Sequence, residues 1–156
     1  MNRFLTALTL SVAILGAAPL TITSPLNMLD SFKYETPMGR QMKIPKKTKL
    51  VIVAFEKDTG ALVNEYLNTQ SPFYLPKNNS VFIADINKMP SLITNMFALP
   101  KLQKYKHLIY LHYGEKFQNA VPNKEQKITL LHIEESKIKE ISFISTKEEL
   151  KMAIEK

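Results

Sequence analysis

Cysteine is absent from the 156 residues of this chain. That absence excludes thiol–disulfide exchange, cysteine peroxidase chemistry, cysteine nucleophiles and thiolate metal sites, since each needs an ionisable sulfur. Glycine is scarce, at four residues, and no Gly-rich phosphate cradle, Rossmann fingerprint, nucleophile elbow or zinc-protease helix occurs. A flavin or nicotinamide site therefore has no footing, and no cofactor is expected. Arginine is nearly missing as well, with Arg3 and Arg40 alone. The net charge of +7 rests on lysines scattered along the chain, among them Lys43, Lys46, Lys47, Lys49, Lys101, Lys104 and Lys106. Scattered lysine favours solubility and weak attraction to anions. Nucleic-acid readers add arginine and stacking aromatics, so no nucleic-acid partner is expected.

Long apolar runs are also missing, except at the start. "MNRFLTALTLSVAILGAAPLTITSP" sets Arg3 ahead of an apolar run from Phe4 to Leu15, followed by Gly16, Ala17 and Ala18. This is the layout of a secretory signal peptide, assigned to residues 1–24. The cleavage site stays open between Gly16 and Ser24, with Pro19 disfavouring a cut directly after Ala18. The alternative is an N-terminal membrane anchor, for which the run falls short of the roughly 20 apolar residues of a spanning helix. The expectation is a periplasmic or secreted protein, not stably inserted in the membrane once the leader is removed. Residues 25–156 then form a single domain of ordinary size. Export normally permits disulfides, which makes the missing sulfur more telling.

The rest of the chain reads as an α/β order. "FKYETPMGRQMKIP" suggests two short strands around a turn at Met38-Gly39. "KLVIVAF" is apolar at consecutive positions, as in a strand buried on both faces. In "DTGALVNEYLN", Leu62, Val63, Tyr66 and Leu67 make one helical stripe, with Asp58 or Thr59 available as N-cap. "SVFIAD" is a second buried strand. "PSLITNMFAL" is a helix opened by Pro90, whose stripe of Leu92, Ile93, Met96 and Phe97 is expected in the core. "HLIYLHY" is a third strand, and Phe117 to Ala120 offer one helical turn. "KITLLHI" and "KEISFIS" are strands joined by the turn Glu134 to Lys137. In the last helix, Ser145 with Glu148 or Thr146 with Glu149 can form a capping box, with Leu150, Ala153 and Ile154 facing inward. The early strands should run parallel and the last two antiparallel.

From the hairpin "YETPMGRQMKIP", the buried strand "KLVIVAF", the segment "HLIYLHYGEKFQNAVP" and the closing "KITLLHIEESKIKEISFISTKEELKMAIEK", the chain resembles the thioredoxin-like fold. The likeness is to its redoxin branch of exported thiol reductases and peroxiredoxin relatives, over roughly Ser31 to Lys156. The resemblance implies a three-layer α/β sandwich with a mixed central sheet, an N-terminal hairpin and a C-terminal hairpin plus helix. It also implies where sulfur would stand: in the loop after the first central strand, which here reads Glu56 to Thr59. The family's cis-proline before the penultimate strand is matched by Gln126-Lys127, with Pro122 too early. Fold carries over, and no catalytic residue does.

Two readings of function remain. In the first, the protein is an exported, redox-inactive binding or accessory module of the cell envelope, meeting a protein or peptide partner. Its rim would comprise Glu56, Lys57, Asp58, Thr59, Gly60, the helix start at Ala61, and Lys127, because open α/β folds bind at the carboxyl ends of their strands. The alternative is a periplasmic copper or zinc binding protein, or a non-thiol enzyme using histidine and carboxylate groups. If the strands bearing His112 and His132 pair, their imidazoles could share a metal, with Glu56 and Asp58 as the carboxylates.

Overall fold

The computed structural model describes residues 18–156. Most of the expected leader lies outside the described residues. From Leu20 onward the chain is packed: Leu20 is buried and its N–H donates to Ala120 O at 2.7 Å. A 3-10 segment, Leu26–Ser31, follows. Next come β1 (Tyr34–Glu35), β2 (Gln41–Met42), β3 (Leu50–Ala54), α1 (Lys57–Asn68), α2 (Tyr74–Lys77) and β4 (Ser80–Asp85). The second half holds α3 (Ser91–Ile93), a π turn (Thr94–Ala98), α4 (Leu99–Leu102), β5 (Tyr110–His112), α5 (Glu115–Ala120), β6 (Ile128–Glu134), β7 (Lys137–Ile144) and α6 (Lys147–Glu155).

The seven strands form one sheet in the order β2-β1-β5-β4-β3-β6-β7. β3, β4 and β5 run parallel, while β6 and β7 close the sheet antiparallel. β3 is central, and its five residues are buried because they alternate between two cores. Leu50, Ile52 and Ala54 face the layer of α1, α2, α4 and α6, where Val63, Leu67, Leu150 and Ile154 complete the packing. Val51 and Val53 face a thinner layer made by the N-terminal segment and α5, with Leu20, Leu29, Phe117 and Val121. A continuous apolar strand is the sequence of a segment with no solvent face.

Local chemistry sets the ends of elements. The hairpin turns at Gly39, whose φ of +79° suits a residue without Cβ. The β6–β7 turn places both Glu135 and Ser136 at positive φ, the signature of a two-residue turn that matches strand twist. α6 begins with the Thr146–Glu149 box: Glu149 N–H donates to Thr146 Oγ1 at 3.2 Å, and Thr146 N–H to Glu149 Oε2 at 3.1 Å.

Several expectations need correction. The N-cap of α1 is Glu56, not Asp58 or Thr59; Thr59 lies in the first turn, and its hydroxyl accepts from Glu56 N–H at 3.3 Å. The short α2, pinned by Tyr66 Oη to Tyr74 Oη at 2.8 Å, had no periodic signal in four residues. β5 spans three residues rather than seven, with His107 ahead of it in a loop.

Most consequential, the helix after Pro90 does not bury its whole stripe. Ile93, Met96 and Phe97 are 48%, 59% and 67% exposed. Pro100 lacks an N–H and its ring would press on the carbonyl four residues back. The chain widens into a π turn just before it, with Leu99 N–H reaching back five residues to Thr94 O. One extra residue per turn swings the following face by about 100°. The earlier apolar side chains are therefore carried out of line with Leu99 and Leu102, which do pack inward.

Candidate functional site

The carboxyl ends of β3, β4 and β5 converge where α1 begins. Glu56 follows β3 after Phe55 alone, and its carboxylate accepts the backbone N–H of Gln126 at 3.0 and 3.2 Å from its two oxygens. Gln126 holds φ at +56°, a left-handed conformation that side chains other than glycine adopt at a cost. The loop before β6 is thus drawn onto the loop after β3 by one carboxylate. These are the two loops that the fold resemblance aligned with the missing sulfur and the missing cis-proline, and among the described residues no peptide bond is cis.

The other rim residues divide. Lys57 and Asp58 are exposed, Thr59 is buried, and Gly60 is half-buried. Lys127 is half-buried and reaches Ser145 Oγ at 3.2 Å, toward the start of α6 rather than toward Glu56. The structure therefore brings Glu56 to the 126–127 segment, while among the described residues the Asp58 side chain forms no ion pair.

The histidine pair is not a metal site. β4 and β3 lie between β5 and β6. His112 pairs with Asp85 at one end of the sheet, and His132 with Leu50 at the other. Three strand spacings and five residues of rise put them roughly 20 Å apart. Both nitrogens of His112 already face carbonyls, Nδ1 toward Lys33 O at 2.9 Å and Nε2 toward Gly114 O at 3.0 Å. Its ring is packed among Phe32, Tyr34 and Phe117. His132 Nε2 meets Ser142 Oγ at 3.1 Å, and burial lowers its pKa. Among the described residues no group of three or more His, Asp or Glu could hold a metal. The expectation of adjacency failed because it needed two strands to pair that the sheet order separates.

Sequence reasoning missed a different polar group. Asn64 sits in α1 four residues after Gly60, on the face turned to the sheet, and is 4% exposed. Its Oδ1 accepts from His107 Nε2 at 2.8 Å. Burial lowers His107 to about 4, so the ring is neutral near pH 7 and carries its proton on Nε2, since Oδ1 can only accept. Beside this pair lies a cavity of about 400 Å³, bounded by Ala54, Glu56, Lys57 and Ala61 on one side and by Met89, Ile93, Phe97 and Lys101 on the other. The signal available in the sequence was Asn64 inside a stripe of apolar neighbours, together with Pro100 late in the next helix.

Comparison with solved structures fits this geometry. A protein from Bacteroides thetaiotaomicron, provisionally described as a protein disulfide isomerase, superposes with a TM-score of 0.52 at 13% identity, covering 88% of this chain and 87% of that one. A SCO1/SenC family lipoprotein from Bacillus anthracis str. Ames gives a TM-score of 0.51 at 11% identity, covering 89% of this chain and 94% of its own. The fold is thioredoxin-like. Identities this low carry the fold and nothing finer. No protein-family model matches the chain, and no curated protein does. The thioredoxin-like scaffold here has no cysteine at any position, and Glu56 occupies the loop where the fold's redox members keep theirs.

Proposed function

We propose that this chain is an exported, redox-inactive thioredoxin-fold protein that acts as a binding module in the cell envelope. Its contact surface is the rim from Glu56 to Ala61 together with Gln126 and Lys127. The observation that carries the reading is the carboxylate of Glu56 holding Gln126 N–H. The two loops that form the substrate edge in sulfur-bearing relatives are kept together here by a hydrogen bond that does no chemistry. The lipoprotein named among the structural neighbours and the leader-like N-terminus support an envelope location. Among the described residues no helix is long and apolar enough to cross a membrane.

The test is affinity capture from the native envelope with the wild-type protein and with a Glu56→Ala, Asp58→Ala, Lys127→Ala triple variant. The reading expects a discrete partner that the wild type retains and the folded variant loses. Equal recovery by both would count against the rim.

A further inference from the structure

We propose that the cavity between α1 and the π-widened helix binds a ligand whose apolar chain or ring ends in a carboxylate. The inference rests on reading the chain as a binding module and gives that module a ligand class. The cavity volume of about 400 Å³ lies in the roughly 300–1,000 Å³ range of small-ligand sites. Its walls are largely apolar, with Ala54, Ala61, Ala84, Ile86, Ile93 and Phe97. Ile93 and Phe97 are exposed there although a helix of this composition would ordinarily bury them. The π turn that turned them outward is a device found at functional sites more often than elsewhere.

Polar groups select the head. Asn64 lines the cavity: its Oδ1 is taken by His107, and its Nδ2, which has no hydrogen bond to protein among the described residues, is not a buried unpaired atom and is open to the cavity space. Water can meet that donor in the open cavity, and an oxygen acceptor of a ligand placed there can take the water's place. Lys57 and Lys101 border the cavity, and neither forms an ion pair among the described residues, so both ammonium groups are available to an anionic head. The two carboxylates of the lining, Glu56 and Asp85, each accept a backbone N–H. Glu56 holds Gln126 N–H. Asp85 also lines the cavity, and its carboxyl accepts from Asn87 N–H and feels His112. Donor, cations and apolar walls together match an anionic acceptor on a hydrophobic body. A free fatty acid and the C-terminal carboxylate of an apolar peptide share that chemistry.

The test is calorimetric and NMR titration of the purified protein with decanoate, decan-1-ol and decyltrimethylammonium, and with N-acetyl-Leu-Phe as free acid and as amide. The proposal expects decanoate or the free-acid peptide to bind, with shifts at Met89, Ile93 and Phe97. Whichever of the two binds more tightly identifies the source of the carboxylate. Decanol, the ammonium and the peptide amide should bind about tenfold more weakly or worse, the cost of a lost charge-assisted hydrogen bond. Asn64→Leu should weaken carboxylate binding similarly. Because that change also frees His107, a surface variant, Lys57→Gln with Lys101→Gln, supplies a second reading without touching the core. Equal affinity for decanol and decanoate, shifts confined to another surface, or no binding by either acid would overturn the proposal. A partner captured through the rim while both acids fail would leave the binding-module reading standing and remove this one.

Discussion

Gln126 holds a strained backbone conformation in the proposed rim. Its φ of +56° accompanies the bond from its N–H to the Glu56 carboxylate and costs about 1 kcal/mol for a residue with a Cβ. Gln126→Gly should stabilise the protein by about 0.5–1 kcal/mol, read as a higher urea midpoint with unchanged slope. His107 makes a second residue-scale claim. Burial holds it near 4 in the folded protein, against an ordinary 6.5. The unfolded chain therefore binds the proton more readily across that interval, and stability falls as pH drops from about 6.5 toward 4. The full loss is on the order of 3 kcal/mol. Urea midpoints of wild type and His107→Gln at pH 7 and pH 5 check this, with the wild type expected to lose more of its stability on acidification. Neither claim was legible in the sequence. Backbone sign at Gln126 and the burial of His107 are products of tertiary packing that nothing in their immediate neighbours encodes, and the apolar stripe around Asn64 hints at its burial without naming its partner.

At the scale of elements, legibility followed the strength of local signals. β4 was read to the residue from an unbroken apolar run ending in Asp85, because a strand with no solvent face has a composition unlike any loop. The α6 start was readable for the same reason: a hydroxyl three residues before a glutamate is the box itself. Thr146→Ala should cost about 1 kcal/mol by leaving first-turn N–H groups unpaired, seen as a lower thermal midpoint with the rest of the domain intact. The helix after Pro90 failed because its stripe was followed without weighing Pro100, which lies only three to seven residues beyond Ile93, Met96 and Phe97. The histidine pairing failed for a longer-range reason. Strand order is set by crossovers and not by the strands' own residues, so the two histidines stand on strands separated by two others and at opposite ends of the sheet.

For the whole molecule, the scaffold is a sheet with one thick helical layer and one thin layer made largely of the N-terminal segment. Leu20 and Leu29 take places in that second core beside Phe117, so residues ahead of Pro25 belong to the packed structure. The account's central claim is that the proposed rim, Glu56 to Ala61 with Gln126 and Lys127, makes contact with a partner. In-cell photo-crosslinking tests it most directly, with a benzophenone side chain placed at Asp58 or Lys127, and at Met152 on the exposed face of α6 as the comparison site. The account expects one discrete adduct from positions 58 and 127 and none from 152. No adduct from the rim, or the same adducts from all three positions, would contradict it.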